Sequence, residues 1–565
     1  MNLKRLFPFL AWPRPTPATL RQDAKAGFSV GLVMVPQAVA YATLAGMPPQ
    51  TGLYAALLPA LIGILWGSAG LLSVGPVALT SLLVAGSLYP LAEAGSTQWV
   101  TLAIWLSLYA GLIQLMLGAF RFGQIASLVS QPVLIGFLNA AALIIIALQI
   151  PPLLGQRSFA QIIPSLASPT PVLLVGPLGL LMLLAAKRYT PRLPGILLVT
   201  LAGIALSWLL GFEAWGVPLV GAIPTGFPPI SLLPTLSFDL HRELLPAALI
   251  IALISYAEAM TSCRTLARRL RQPWDENQEL VGQGLAKIAS AFSGSFPVSG
   301  SFSRSALNLY AGAVSGWSTL FTASCVLLTL LFLTDVLYYL PYPLLAAMII
   351  VPVLNLLDLK ALRRAMAISR PDGVIAWSTF AVTLLATPRL HWGVFVGVGL
   401  TMVFYLHRRG RPRIIEVGLH PDGTLRDRAR FPLEALAPDL LAVRIDSALN
   451  FLTISALERF ITQRSNQDKR IKRVLLTAAS INDIDASGID GLEFLLHTLR
   501  SDGVELHIAA IKKQVWEVLE RSGLAATLGP ECIHATDLQA IENLTAQTIA
   551  GAGPESAAPA TKPPR

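Results

Sequence analysis

Ser73-Val74-Gly75-Pro76-Val77-Ala78 and Phe296-Pro297-Val298-Ser299-Gly300-Ser301-Phe302-Ser303 open two unusually short apolar stretches, 75–90 and 301–313. A bilayer core of roughly 30 Å takes about 20 helical residues to cross, so both stretches read as broken helices. Working outward, apolar stretches recur at 26–42, 53–67, 98–119, 124–150, 171–186 and 194–211 in the first half of this region. In the second half they recur at 244–263, 279–293, 317–335, 340–357, 373–387 and 391–407. The long, Pro-rich and nearly uncharged segment 212–243 divides them seven from seven. Two odd-numbered halves in one chain must run in opposite senses. The predicted fold is therefore a polytopic α-helical membrane domain of fourteen spans, a seven-plus-seven inverted repeat. The two short stretches are each the third of their half. Gly and Pro are common in membrane helices generally, but matched breaks in inverted repeats point to a midplane binding site.

Composition agrees. Of 565 residues 54% are hydrophobic and 13% charged, with a mean hydropathy of +0.62. Soluble domains carry about 25% charged residues, so a wholly soluble chain is excluded, as are disordered and disulfide-scaffold classes. The three cysteines, Cys263, Cys325 and Cys532, suggest neither a disulfide framework nor a metal site. The net charge of +10 is unevenly spread: residues 1–413 hold 26 Lys+Arg against 12 Asp+Glu, and residues 414–565 hold 16 against 20. A membrane domain is thus followed by a soluble domain of ordinary composition, and a nucleic-acid partner is not indicated.

Loop cations set the expected orientation. With an even span count both ends share one side, which collects 21 Lys and Arg outside the stretches, from Lys4 through Lys25, Lys187 and Arg192 to Arg413. The other side collects 3: Arg157, Arg242 and Arg389. The positive-inside rule makes the rich side cytoplasmic. Prolines 8, 13, 15 and 17 interrupt the N-terminal apolar run, so it does not read as a cleaved signal peptide. The expected division is a cytoplasmic segment 1–25, repeats 26–211 and 244–413 around an extracytoplasmic linker 212–243, a soluble domain 414–545 and a disordered tail 546–565.

Glu258, Lys287 and Arg304 are read as the ionisable residues inside the stretches, with Glu258 their one acid. A charge in the bilayer costs about 2.5–3.5 kcal/mol on insertion scales, so such residues face a cavity or a partner. Glu258 reads either as a structural carboxylate or as a proton carrier. Arg304 reads either as its ion-pair partner or as a positive charge for an anion, which helix N-termini also favour. Ser303 adds a hydroxyl there. Lys287 is expected near a stretch end, with its ammonium snorkelling to the surface. Pro36 frees a mid-helix carbonyl beside Gln37, whose amide offers donors and acceptors at the break.

The run Val35-Pro36-Gln37-Ala38-Val39-Ala40-Tyr41 through Gly52-Leu53-Tyr54 resembles the SulP anion transporters. Gln131-Pro132-Val133-Leu134-Ile135-Gly136-Phe137, Asn277-Gln278-Glu279-Leu280 and Phe296 to Asn308 resemble the same family. The resemblance implies a core and a gate domain, a homodimer, and an anion held between spans three and ten and lined from spans one and eight. It maps substrate contacts to Gln37, Tyr41, Gly75, Val77, Ala78, Ser301, Phe302, Ser303 and Arg304, proton coupling to Glu258, and a supporting role to Ser262. Glu258 with Arg304 is the combination of proton-coupled plant sulfate transporters, whereas a sodium-coupled bicarbonate member would carry Asp and no arginine. Val77 stands where animal relatives tend to have an aromatic residue. The expectation is a proton-coupled sulfate symporter of the inner membrane with both termini cytoplasmic. Alternatives are a sodium- or proton-coupled bicarbonate or dicarboxylate transporter, an anion exchanger, an anion channel or a membrane-tethered signalling scaffold. No nucleophile–base set, Walker loop or metal cluster supports an enzyme, and no cofactor or metal is expected.

In the soluble part, strand signals at 441–446, 473–479 and 504–510 alternate with helix signals at 453–463, 488–499, 513–522 and 536–543, which predicts a small α/β sheet. Ile484-Asp485-Ala486-Ser487-Gly488-Ile489 lies between a strand and a helix. Asp485 or Ser487 caps that helix, or Ser487 is a phosphorylation site. The segment resembles the STAS domain, where the matching serine can be phosphorylated, and which implies a cytosolic protein partner.

Overall fold

The computed structural model describes residues 7–124, 129–156, 158–167, 171–189, 195–230 and 232–551. They form two compact units, Met1–Thr401 and Met402–Arg565.

The first half of the membrane unit contains α1 Pro17–Leu44, α2 Pro49–Trp66, α3 Ala78–Leu88, α4 Thr97–Ala119, α5 Gln131–Leu153, α6 Val172–Tyr189 and α7 Gly195–Leu210. The second half contains α8 Phe238–Leu270, α9 Glu276–Phe292, α10 Phe302–Tyr310, α11 Trp317–Tyr338, α12 Tyr342–Leu354, α13 Arg370–Leu385 and α14 His391–Arg409. Short helices Ile162–Ala167 and Leu359–Ile368 intervene. Each predicted apolar stretch falls on one of α1 to α14. Among the described residues eight helical runs are long and apolar enough to cross a membrane. α8 is longer than its apolar stretch. It begins at Phe238, inside the expected linker, behind Ser237 with Asp239 in its first turn, and ends where Arg271 turns left-handed at φ 53°.

The two short helices are organised by backbone pairing. β1 Ser73–Gly75 precedes α3 and β2 Ser299–Ser301 runs directly into α10. The strands pair antiparallel, Ser73 opposite Ser301 and Gly75 opposite Ser299. An antiparallel ladder sends its chains out at opposite ends, so the N-termini of α3 and α10 flank one ladder about 7 Å long at 3.3 Å per residue. Side chains tie the crossing. The Ser73 N–H donates to Ser305 Oγ at 2.8 Å, Asn308 Nδ2 donates to the Leu71 carbonyl at 3.3 Å, and Ser299 Oγ donates to the Ser255 carbonyl on α8 at 2.8 Å. The close fit depends on glycine. A Cβ on Gly75 would stand 2.3 Å from Met34 Cε, so the tip of that side chain would have to move.

The second unit is a six-stranded sheet of β3 Ile414–Leu419, β4 Leu425–Asp427, β5 Leu440–Ile445, β6 Arg473–Thr477, β7 Glu505–Ala509 and β8 Ile533–His534, in the order β4-β3-β5-β6-β7-β8. β5 to β8 are parallel, and β3 is antiparallel to β4 and β5. α15 Ile454–Gln467, α16 Ala486–Ser501 and α17 Lys513–Arg521 cover one face, and α18 Asp537–Gly551 covers the other. The alternation of strand side chains decides which residue faces which helix. Leu441, Val443 and Ile445 meet Leu457 and Leu496, whereas Leu440 and Ala442 meet Ile541 and Leu544. α18 extends into the expected tail; residues 552–565 lie outside the described residues.

The cap of α16 is Asp485, whose Oδ1 accepts the Gly488 N–H at 2.8 Å. Ser487 is exposed inside the first turn and is not the cap. Asp485→Ala should therefore lower the unfolding free energy of this domain by about 0.5–2 kcal/mol. Ser487→Ala should change it by under about 0.5 kcal/mol. Denaturant unfolding reads both, and a larger loss at Ser487 contradicts the assignment.

Candidate anion site

Arg304 lies in the first turn of α10, a position fixed by Ser301 Oγ, which accepts the Arg304 N–H at 3.4 Å. The side chain is 2% exposed and reaches back across the ladder to the other broken helix. Nε donates to Ser73 Oγ at 3.3 Å and Nη1 to the Pro76 carbonyl at 2.9 Å. Nη2 is buried without a hydrogen-bond partner. A buried guanidinium N–H left unpaired is costly, and it is the group an anion needs.

α1 and α8 bring the rest. Gln37, one residue past Pro36, is 3% exposed and its Oε1 has no partner; an amide flip presents the NH2 instead. Tyr41, one turn further, is buried and interacts electrostatically with Arg304 and Glu258. Glu258 is half-buried beside Ser299, with Oε2 lacking a hydrogen bond. Among the described residues Glu258 makes no ion pair with Arg304, so the ion-pair reading of Arg304 is not what the geometry displays. Ser262 Oγ donates to the Glu258 carbonyl at 3.3 Å, supporting the helix backbone rather than the carboxylate.

A cavity of about 750 Å³ reaches this point. One wall is α1 and α10, with Lys25, Ser29, Gln37, Ser303, Arg304 and Tyr310. The facing wall is α6, α7 and α12, with Leu183, Lys187, Ile196, Val351 and Asn355. Lys25 and Lys187 are exposed at one end, Gln37 and Arg304 buried at the other. Twelve helical residues from Lys25 to Gln37 make the cavity about 18 Å deep at 1.5 Å per residue. Of the predicted contact residues, Gln37, Ser303 and Arg304 line this cavity. Val77 and Ala78 are buried and Phe302 is 53% exposed, and none of the three is on its wall. Lys187, whose Nζ donates to Asn355 Oδ1 at 2.6 Å, and Asn355 itself carried no sequence signal for a cavity.

Two expectations about charges are corrected. Lys287 does not snorkel: it is fully buried and Nζ donates to Gln114 Oε1 at 2.9 Å. α4 and α9 press together at Gly111 and Gly284, where any Cβ would meet the partner's carbonyl at 2.8 Å, so the side chain has no path to water. Nor is Glu258 the one buried acid. Glu279 on α9 accepts the Ser68 and Ala69 N–H groups, each at 3.0 Å. Asp23 on α1 accepts from the Val314 N–H at 2.7 Å and the Ser315 hydroxyl at 2.7 Å. Both hold loops at helix ends, and their oxygens are fully engaged.

Comparison with known proteins agrees with this architecture. The family model described as the sulfate permease family matches residues 20–379, and the STAS domain model matches residues 435–536. The probable sulfate transporter Rv1739c of Mycobacterium tuberculosis is 32% identical over 530 residues, 92% of this chain and 94% of that protein. The chloroplastic sulfate transporter 4.1 of Arabidopsis thaliana is 32% identical over 557 residues, 93% of this chain and 80% of that protein. The fold resembles the murine Solute Carrier 26 family member A9 anion transporter in its inward-facing state, with TM-score 0.86 and 22% identity over 96% of this chain and 94% of that one. It also resembles the transmembrane domain of the cyanobacterial bicarbonate transporter BicA, with TM-score 0.59 and 21% identity over 68% of this chain and 99% of that one. The chain therefore belongs to the sulfate permease family: it is a multi-pass membrane anion transporter, not an enzyme, with a C-terminal STAS domain.

Proposed function

We propose that the protein is a proton-coupled sulfate symporter that works by alternating access. The observation that carries this reading is the unpartnered, buried Nη2 of Arg304 where the N-termini of α3 and α10 meet. A tetrahedral dianion accepts from that N–H and from the dipole ends of both helices. Gln37 and Ser303 complete its contacts from the cavity wall. The sulfate-transporter names of relatives over nearly the whole chain support the choice of anion.

The cavity divides a core, α1, α3, α8 and α10, from a gate that includes α6, α7 and α12. The positive-inside rule places Lys25 and Lys187 on the cytoplasmic side, so this arrangement is the inward-open one. Movement of the core against the gate closes this mouth and opens the opposite one. Both termini then lie in the cytoplasm, and homodimer formation and partner binding fall to the STAS domain and the gate.

Proteoliposomes with labelled sulfate test the reading. An inside-alkaline proton gradient should drive accumulation above equilibrium, and a sodium gradient alone should not. Sodium-driven uptake would replace proton coupling by the sodium-coupled alternative. Deleting residues 414–565 should lower the uptake rate without changing which anion is taken, because every proposed contact lies before residue 401. A changed preference in competition assays would contradict that division of labour.

A further inference from the structure

We infer that Lys287 is the counter-charge of Glu258, a positioning residue that lets a dianion approach an ionised carboxylate. Lys287 is fully buried, and among the described residues its ammonium donates to a neutral amide, Gln114 Oε1. A buried ammonium needs an opposite charge to remain charged. The acid it faces through space is Glu258. The connection is also structural. Gln114 Nε2 donates to the Ala252 carbonyl at 2.6 Å and to Ser255 Oγ at 3.1 Å, one turn before Glu258 on α8. Ser107 Oγ donates to the Lys287 carbonyl at 2.8 Å, and Ser299 Oγ joins the ladder to the Ser255 carbonyl. Lys287 is thus linked through Gln114 to α8 and does not line the cavity.

The charges facing Glu258 are Arg304 from α10 and Lys287 from α9; Tyr41 from α1 and Ser299 from β2 are its other polar neighbours. With both cations charged and Glu258 ionised, the empty core carries one positive charge. A dianion makes it one negative, and a single proton on Glu258 restores neutrality. Without Lys287 an ionised Glu258 has no cation opposing it from α9 and repels the arriving dianion. The inference rests on the proposed function for its proton step but not for its charge relation, and the test separates the two.

The test uses the detergent-purified full chain as wild type, Lys287→Met, Glu258→Gln and the double variant, with sulfate affinity and thermal midpoint both measured. Lys287→Met should weaken sulfate binding at least tenfold, because Glu258 is left unopposed. In the Glu258→Gln background the same change should cost under threefold, and Lys287→Arg should stay within threefold of wild type. A purely structural lysine gives the same loss in both backgrounds, which overturns the inference. If the wild type binds no sulfate, the proposed substrate fails instead. The cycle is then decided by thermal midpoint: Lys287→Met lowers it and adding Glu258→Gln restores at least half the loss, and no restoration overturns the inference. If binding and the cycle hold but a proton gradient drives nothing, only the coupling in the proposed function fails.

Discussion

Arg304→Ala should abolish sulfate uptake, lowering it at least a hundredfold, while expression and thermal midpoint stay near wild type. Among the described residues the guanidinium is the one full positive charge between the two broken helices, and Nη2 has no protein partner. Losing a charge-assisted contact to a buried anion removes binding and, with it, transport. Among the described residues Arg304 makes no ion pair whose loss would strand a buried carboxylate, so the large penalty of about 3–5 kcal/mol for breaking a buried pair does not apply. Arg304→Lys should recover only part of the rate, because an ammonium cannot hold Ser73, Pro76 and the anion in one planar fork. Labelled uptake and thermal melts on the same preparations decide the matter. Full transport by the alanine variant rules out the role, and a collapsed melting point with residual transport favours a structural one.

Glu258→Gln should abolish accumulation driven by a proton gradient while sulfate still binds and exchanges. A dianion entering against an inside-negative potential costs about 2.3 kcal/mol per charge per 100 mV. Carrying a proton with it offsets part of that cost. Glu258 has an unengaged oxygen, whereas the oxygens of Asp23 and Glu279 are occupied by backbone and side-chain donors. In the proposed cycle, sulfate at Arg304 would draw the guanidinium's influence away from Glu258, and the carboxylate would then take the proton. Glutamine keeps the shape and fixes the group neutral. Counterflow, which needs no net proton movement, should persist in the variant while concentrative uptake is lost. A variant that still concentrates sulfate on a proton gradient alone shows that Glu258 is not the coupling group.

Much of this was legible in the sequence because glycine and proline punctuate where the chain must break. Gly75-Pro76 and Pro297-Val298-Ser299-Gly300 mark both short helices, and their equivalent places in two halves point to the candidate site. The pairing of Ser73 with Ser301 was not legible, since a three-residue ladder between residues more than two hundred positions apart leaves no periodic trace. Lys287 was misread for a related reason. Its burial is decided by Gly111 and Gly284 on two different helices, and nothing within α9 reports that approach. In the soluble domain the three parallel strands β5 to β7 stood out as apolar runs between helices. β3 and β4 were missed because they follow the basic end of α14, where the reading had ended the membrane domain. β8, two residues long, is too short to carry a pattern.

The central claim is that the anion sits at Arg304, between the N-termini of α3 and α10. Selenate, a heavier match for sulfate in charge and shape, locates it directly. A crystal of the full chain grown with selenate should give a selenium anomalous peak within hydrogen-bond distance of Arg304 Nη2, with Gln37 and Ser303 beside it. A peak held instead by Lys25 and Lys187 at the cavity mouth, with none at Arg304, would contradict the account.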